Sequence, residues 1–222
     1  MKLYTRGRWI YLFLALITLL IIYPFFRESK LFLAPLILYL LNGIVILAII
    51  YEVSFTTMQF LFAVAVGLPS IIIGWFPDTP VTDFIQAFLH IILYFYAIFM
   101  ILSVLMPQKT ADIETIYGTI SVYILIGLCW ANIYQIVDFF SPGSFMFTHA
   151  FIERPFDWSD YLYYSFVTLT TLGYGDIVPI APQARSCAIL ESIFGVIFIA
   201  VMVSKTIGLY VSELRSRAIK KG

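Results

Sequence analysis

Long apolar stretches alternate with short polar ones along most of the chain. A helix that crosses a bilayer needs about 20 predominantly apolar residues. Six stretches reach or approach that length: residues 9–26, 31–51, 58–76, 84–106, 116–139 and 184–211. The pattern therefore predicts six transmembrane helices.

A further apolar stretch, residues 158–172, lies between the fifth and sixth helices and is too short to span. This length suits a re-entrant helix, which is tolerated at membrane depth only where protein or a water-filled cavity surrounds it. Asp157 or Ser159 can cap its N terminus, and Asp160 suits the positive end of the helix dipole. The negative end then points toward the membrane centre, where it would stabilise a cation.

The composition supports a membrane protein and gives no sign of an enzyme. The chain is 62% hydrophobic and 12% charged, and a soluble domain carries about twice that charged share. Its formal net charge of zero gives no indication of a nucleic-acid partner. Cys129 and Cys187 lie in apolar segments without metal-like spacing, which favours small core residues. Neither histidine has a nucleophile or paired carboxylate nearby in sequence.

Basic residues flank the predicted helices at both ends of the chain: Lys2, Arg6, Arg8, Arg215, Arg217, Lys220 and Lys221. Lysine and arginine concentrate on the cytoplasmic side of a membrane. Both termini are therefore predicted in the cytoplasm, which requires an even number of crossings. We expect a multi-pass protein of the cell or inner membrane.

Residues 170–176 read Thr-Thr-Leu-Gly-Tyr-Gly-Asp and follow the re-entrant helix directly. Glycines at alternate positions, Gly173 and Gly175, can adopt φ > 0, which lets successive carbonyls point the same way. The Thr171 hydroxyl adds one more oxygen. Such a row can replace the water around a dehydrated cation, but one chain supplies only one side of a cage. Because the motif occurs once, four copies must meet around an axis.

This motif resembles the selectivity filter of tetrameric potassium channels, TVGYG between a threonine and an aspartate, with leucine in place of valine. We name as the filter segment Thr171, Leu172, Gly173, Tyr174 and Gly175. The resemblance covers about the last hundred residues. It implies an all-α membrane fold of six transmembrane helices plus a re-entrant pore helix, assembled as a homotetramer among membrane lipids. It implies K+ ions bound by the first four filter carbonyls and the threonine hydroxyl, with no organic cofactor.

The resemblance also assigns supporting roles around the filter segment. Thr170 and Asp176 flank it. Tyr163 and Tyr164 take the place of an aromatic pair behind the filter, and the first is predicted to hydrogen-bond Asp176. Val167 stands where some relatives place a buried glutamate, so inactivation tied to that glutamate is not expected here.

Gly195 lies twenty positions after Gly175, inside the sixth predicted helix. It is either a close-packing glycine, common in membranes, or, as the resemblance implies, a gating hinge. Four residues beyond it share one face of an α-helix: Val196, Ile199, Val203 and Ile207. By resemblance this face lines the inner vestibule, and the alternative is a packing stripe.

Glu191 is an ionisable residue within the sixth predicted helix, one turn before the glycine. Such a residue is a functional candidate by default. It either raises the cation concentration in the vestibule or hydrogen-bonds hydroxyls such as that of Thr168, and the cost of an unpaired buried charge favours the second role. Lys205 is predicted to extend toward the membrane interface.

The layout resembles that of voltage-gated channels, but residues 84–106 contain no arginine or lysine. Each charge moved across the membrane field is worth about 2.3 kcal/mol per 100 mV, so we expect weak or absent voltage dependence. The prediction divides the chain into a four-helix bundle without gating charges, 1–110, and a pore domain, 111–222. The bundle either packs on the pore or senses a lipid or an unknown membrane-side ligand. For His90, a packing role is favoured over pH sensing.

Two alternatives to a conducting channel remain open at this stage. A potassium carrier usually has four related pore repeats in one chain, and a single full motif argues against it. A non-conducting regulatory or sensor subunit would use the pore half only to assemble with other subunits.

Overall fold

The structure is a computed structural model that describes residues 9–27, 33–54, 56–77, 79–148 and 154–219. In chain order its elements are α1 (Trp9–Arg27), α2 (Ala34–Val53), α3 (Thr57–Ile73), α4 (Pro80–Leu105), α5 (Ile113–Phe140), β1 (Phe145–Phe147), α6 (Trp158–Leu169), β2 (Ile177–Pro179), α7 (Pro182–Phe198), a π-helical segment (Ile199–Val203) and α8 (Ser204–Ile219). The last three are continuous, and we call them together the inner helix. Every predicted apolar stretch lies on a helix, so the predicted all-α fold is confirmed.

Within the described residues, four helices are long and apolar enough to cross a membrane: Leu36–Val53, Pro80–Leu105, Ile113–Phe140 and Pro182–Ser212. The apolar parts of α1 and α3, Trp9–Tyr23 and Thr57–Ile73, are shorter. These helices make the chain a multi-pass membrane protein. Crossings by α1 and α3 stay a prediction, and so does the division of the chain at residue 110.

The structure describes few of the basic residues on which the orientation prediction rests. Five of them lie outside the described residues: Lys2, Arg6, Arg8, Lys220 and Lys221. For Arg215 and Arg217 the helical backbone alone is described. The cytoplasmic placement of both termini therefore stays a prediction.

Polar caps set the starts of the two longest helices. The Thr79 side chain accepts from the Thr82 N–H, and the Thr82 side chain in turn accepts from the Thr79 N–H. Asp112 and Thr115 make the same reciprocal pair at the start of α5. Such caps satisfy N–H groups that have no partner inside the helix. They fix where each long apolar helix begins.

The central helix of the fold is α5, which packs against α1, α4, α6, α7 and α8. The seven residues between α4 and α5 make these two helices antiparallel neighbours. The largest fully buried side chains come from both halves of the chain: Leu12, Leu16, Leu19, Ile46, Ile49, Leu93, Tyr94, Ile101, Leu125, Leu128, Tyr134 and Leu169. One helix therefore joins the first-half bundle to the re-entrant helix α6 and the inner helix.

A two-stranded antiparallel ladder closes the loop that contains α6. It pairs Phe145 with Pro179, Met146 with Val178, and Phe147 with Ile177. No strand was predicted from the sequence in this part of the chain. Because β1 precedes α6 and β2 follows the filter segment, the ladder holds both ends of the re-entrant segment together.

Candidate functional site

The backbone of the filter segment adopts positive φ at every second residue. The φ values are 59° at Thr171, 57° at Gly173 and 77° at Gly175. Glycine adopts this region at no steric cost. Thr171 is the only non-glycine residue with positive φ in the described part of the chain, and a left-handed conformation costs an L-residue roughly 1–2 kcal/mol. Strain of this kind clusters at functional sites, where the surrounding structure imposes it.

The first N–H groups of the filter segment bind back to the end of α6. Thr171 donates to the Thr168 carbonyl at 2.9 Å. Leu172 and Gly173 both donate to the Val167 carbonyl, at 2.9 and 3.2 Å. Within the described residues, the first four filter carbonyls accept no hydrogen bond. The segment thus directs its N–H groups to the protein and leaves a row of carbonyl oxygens available to a ligand.

The tyrosine–aspartate pair predicted beside the filter segment is present. The Tyr163 hydroxyl donates to Asp176 Oδ2 at 2.6 Å. Burial and this hydrogen bond raise the pKa of Tyr163 to about 12, so the phenol stays a donor at neutral pH. Tyr164 instead packs edge-on against Tyr134 and Phe145, with ring centroids 4.9 and 5.2 Å apart. Of the predicted aromatic pair, only the first tyrosine therefore contacts the outer end of the filter segment.

Thr148 is a functional candidate that sequence reasoning missed. Its N–H donates to the Asp176 carbonyl at 2.9 Å, which extends the β1–β2 ladder by one bond. Its hydroxyl lies 3.0 Å from the Gly175 carbonyl and 3.2 Å from that of Asp176. A threonine in a loop 27 residues before its partner leaves no periodic signal in the sequence.

The start of α6 carries the predicted cap together with an ion pair that was not predicted. Asp157 accepts from the N–H of Ser159 at 2.8 Å, and Asp160 accepts from the Asp157 N–H at 2.9 Å. Arg154 donates to both oxygens of Asp160, at 2.6 and 2.7 Å. Its guanidinium also stands 5.2 Å from the ring centre of Phe147. The loop before α6 is thereby fastened to the helix that leads into the filter segment.

Gly195 lies against the other end of α6. A Cβ built on it would come within 2.1 Å of the Leu169 carbonyl oxygen. Real Cβ atoms do not approach a backbone atom so closely, so this position requires glycine. This contact is the close packing that the sequence allowed as one role for Gly195, and the hinge role stays a prediction.

Glu191 is completely buried between three helices. Its Oε1 lies 2.5 Å from the Ser165 hydroxyl of α6, and its Oε2 accepts from the Tyr134 hydroxyl of α5. The hydroxyl expected as its partner, that of Thr168, lies one turn further along α6; the Thr168 carbonyl accepts from Ser192 at 3.4 Å. Glu191 therefore joins α5, α6 and α7, and its oxygens point into protein.

Most of the residues just described lie in a part of the chain that matches a known protein family. Residues 122–212 match the family model whose description is ion channel. This match covers less than half of the chain. Over 63 residues, 28% of the chain, it is 36% identical to two-pore potassium channel 5 of Arabidopsis thaliana, and the match spans 15% of that relative. No solved structure matches the chain significantly. The predicted resemblance to potassium channels is confirmed, and the ion-channel match also bears out the prediction of a non-enzyme.

The inner helix is interrupted by the π-helical segment Ile199–Val203. A π turn holds about one residue more than an α turn, so the helix beyond it is rotated by roughly 100°. Burial follows this shift, because Phe198, Met202 and Thr206 are buried at intervals of four residues. π segments are rare and are often found at functional sites.

The shift affects the face that was predicted to line the inner vestibule, and the vestibule role itself stays a prediction. On an uninterrupted α-helix, Val203 and Ile207 would continue the line of Val196. Beyond the π segment, the exposed residues Ser204 and Gly208 take that line instead. Ile199 comes before the extra residue and keeps its α-helical position relative to Val196; both side chains are exposed, at 46% and 54%. The apolar sequence around these positions carried no signal of the extra residue.

Lys205 reaches the end of α4, and its extension toward the membrane interface stays a prediction. Its ammonium group donates to the carbonyls of Leu105, at 3.4 Å, and Met106, at the C-terminal end of α4. These carbonyls have no partner inside their helix, and a cation suits the negative end of the helix dipole. One residue further, Thr206 and Thr119 of α5 bring their hydroxyls within 2.9 Å. The inner helix beyond the π segment is therefore bonded to both α4 and α5.

Cysteine accessibility tests the shifted face. In a Cys187→Ser background, we expect a water-soluble cationic thiol reagent applied to the cytoplasmic face to remove most of the current of Ser204→Cys. The same reagent should modify Val203→Cys far more slowly, because that side chain has rotated away from the vestibule. Patch recording of reconstituted protein measures both rates. Faster modification at position 203 than at 204 would contradict the shift and support an uninterrupted α-helical face.

Proposed function

We propose that the protein is a passive, potassium-selective ion channel that conducts K+ through its Thr-Leu-Gly-Tyr-Gly-Asp filter. The alternating positive φ at Thr171, Gly173 and Gly175 carries this proposal. It supports a row of four carbonyl oxygens that no described protein group occupies. Carbonyl rings that replace a hydration shell are the recurring basis of K+ selectivity. The Arabidopsis relative is named as a potassium channel, which agrees with this choice of ion.

Assembly as a homotetramer follows from what one subunit leaves incomplete. A single filter segment offers oxygens on one side of an ion only, so four are needed to surround it. In one subunit the Leu172 and Tyr174 side chains are 54% and 67% exposed. Large apolar side chains beside a filter need cover, and neighbouring copies of the pore half would supply it.

The first four helices complete the proposal as an arrangement with little voltage sensitivity. We propose that α1 and α3 also cross the membrane, which gives six crossings and places both termini in the cytoplasm. The fourth crossing, α4, contains no arginine or lysine. Without such charges the membrane field has nothing to move, so the conductance of the reconstituted protein should vary little with voltage.

A reversal-potential measurement tests potassium selectivity. The purified full chain is reconstituted with K+ on one side and Na+ on the other. We expect a reversal potential close to the K+ equilibrium value and a flux far above the turnover of a carrier. A reversal potential near zero would overturn K+ selectivity. Slow, saturating flux would favour the carrier, and an intact tetramer without flux would favour the regulatory subunit.

Two glycines provide a matched pair for the same experiment. Gly173 and Gly143 both have positive φ, 57° and 81°, and a Cβ at either would meet nothing within 4 Å. Alanine at each position therefore carries the same kind of backbone cost, roughly 1–2 kcal/mol. Gly173→Ala should abolish K+ selectivity, and Gly143→Ala should retain it. Equal effects of the two substitutions would show that K+ selectivity does not depend on the backbone conformation of the filter segment.

Tyr163→Phe tests the support at the outer end of the filter. The substitution removes the hydroxyl that donates to Asp176 and keeps the ring. A hydrogen bond to a charged group contributes about 1.5–3 kcal/mol, so the outer filter should lose order. We expect current that declines during sustained K+ conduction, measured against the unaltered protein. A Tyr163→Phe channel that conducts as steadily as the original would remove this role.

A further inference from the structure

A cavity of about 840 Å³ lies among α1, α2, α4, α5 and the segment that leads into α6. It stands apart from the filter segment and from the inner helix, which contribute no residue to its lining. Binding sites for small molecules occupy cavities of about 300–1,000 Å³ with mainly apolar walls and a few converging polar groups. The size of this cavity is therefore that of a ligand site, and its lining decides what it would bind.

Two rows of polar side chains line the cavity, one on α4 and one on α5. The row on α4 consists of Asp83, Gln86 and His90, and the row on α5 consists of Asp138, Gln135 and Asn132. Within each row the spacing of three or four residues puts the side chains on one helical face. Because α4 and α5 are antiparallel neighbours, the two rows run in opposite directions along the chain.

The inner end of these rows is fixed by hydrogen bonds. Asn42 Nδ2 lies 3.5 Å from His90 Nε2, and the Asn132 amide donates to the Leu128 carbonyl at 2.6 Å. Both His90 and Asn132 are at least 95% buried. Seven residues of helix separate Asp83 from His90, which is a depth of about 10 Å. Polar groups so deep in a membrane helix pair are costly and mark functional sites.

Asp138 gives the cavity a charge preference. Its Oδ1 accepts from the Ser144 N–H at 2.8 Å, and its Oδ2 accepts from the Tyr161 hydroxyl at 2.7 Å. Both donors are neutral. Among the described residues no cation pairs with this carboxylate. Arg154 lines the same cavity, but its two terminal nitrogens donate to the two oxygens of Asp160. A carboxylate accepts up to about four hydrogen bonds, so Asp138 has capacity left for a cationic donor.

Aromatic rings line the cavity between Asp138 and the buried residues His90 and Asn132. Tyr23 and Trp158 stand edge to face with centroids 4.7 Å apart, and Phe84 and Phe139 stack at 4.8 Å. All four line the cavity. Aromatic faces attract ammonium groups and cover apolar ligand bodies. No group of three or more potential metal ligands stands together in the part of the chain that the structure describes, which favours an organic cation over a metal ion.

We propose that this cavity binds a small organic ammonium compound with an aromatic or alkyl body. Its ammonium group donates to Asp138, its body lies against the aromatic walls, and a neutral polar end reaches His90 and Asn132 at the floor. The site belongs to the first-half bundle and its junction with α5, so it does not depend on ion conduction.

Equilibrium dialysis of the purified full chain in lipid nanodiscs tests the proposal. Phenethylammonium chloride serves as the cationic probe and 2-phenylethanol as its neutral counterpart of the same shape. We expect saturable binding of the amine at least about tenfold tighter than that of the alcohol, because the amine gains a charge-assisted hydrogen bond. Equal affinities, or the absence of saturable amine binding, would overturn the proposal on the unaltered protein alone.

Variants assign the binding to this cavity. Asp138→Asn should weaken amine binding about tenfold and leave alcohol binding unchanged. Glu114→Gln removes a carboxylate outside the cavity and should bind the amine as the original does. If Asp138→Asn does not yield folded protein, Gln135→Trp fills the middle of the cavity with a larger side chain and should also weaken binding. Amine binding unchanged in the folded cavity variant would place it elsewhere, for example in the pore, and refute this site.

Discussion

Gly195→Ala should abolish selective K+ flux and weaken the folded protein. The new methyl group would sit 2.1 Å from the Leu169 carbonyl oxygen, which is backbone and cannot rotate aside. Overpacking costs typically 1–3 kcal/mol, and more where the neighbour is rigid. The gain in helix propensity from glycine to alanine is only about 1 kcal/mol, so the clash wins. The end of α6 must then move, and Thr171 follows it by two residues.

The measurement is a comparison of K+ selectivity and thermal unfolding with those of a matched variant, Gly43→Ala. Gly43 also lies within a long apolar helix, but a Cβ there meets nothing within 4 Å. Gly43→Ala should therefore keep selectivity and gain stability. The hinge role of Gly195 makes a different prediction, since a stiffer inner helix would alter opening while the filter stayed selective. Retained selectivity with altered opening in Gly195→Ala would favour the hinge.

The filter segment was predictable because its chemistry is local. Alternating glycines predicted positive φ, and the structure has it at Gly173 and Gly175. The pairing of Tyr163 with Asp176 followed from the resemblance and is present at 2.6 Å. The helices were predictable for the same reason, because each apolar stretch is continuous in sequence. In these cases the residues that decide the structure are neighbours along the chain.

The contacts that hold the filter segment in place were less predictable, because their partners are distant in sequence. Thr148 reaches the filter from 27 residues away, and Arg154 fastens the start of α6 from a loop without periodicity. The π segment Ile199–Val203 sits in an apolar run where every register looks alike. The polar row on α5 indicates a binding site only because residues of α4 line the same cavity. Tertiary packing decides each of these features.

Glu191 shows how far the sequence could go and what the structure adds. The cost of a buried charge predicted hydroxyl partners, and the partners are the hydroxyls of Ser165 and Tyr134. The Ser165 hydroxyl also lies 2.7 Å from the Gly127 carbonyl of α5. A hydroxyl has one proton to donate, so Ser165 cannot donate to both. Both contacts are hydrogen bonds only if Glu191 itself carries a proton and donates it to Ser165.

Glu191→Gln should therefore conduct K+ and unfold much as the original protein does, whereas Glu191→Leu should lose roughly 1–3 kcal/mol of stability. A glutamine can donate to Ser165 through its amide and accept from Tyr134 through its oxygen, as a neutral glutamic acid does. Leucine leaves the Tyr134 hydroxyl buried without its acceptor, while Ser165 keeps the Gly127 carbonyl. Glu191→Asp, one methylene shorter, cannot reach both and should fall between. These are measured by thermal unfolding and by K+ flux.

A charged Glu191 in the vestibule makes the opposite prediction for glutamine. Removal of the charge would then lower the single-channel conductance and change the asymmetry between inward and outward current. The structure favours the neutral role, because the side chain is fully buried and both of its oxygens face hydroxyls of the same subunit. A large fall in conductance for Glu191→Gln with unchanged unfolding would refute that role. The same fall with lowered stability would show that the bonds to α5 and α6 need the carboxylate in its charged form.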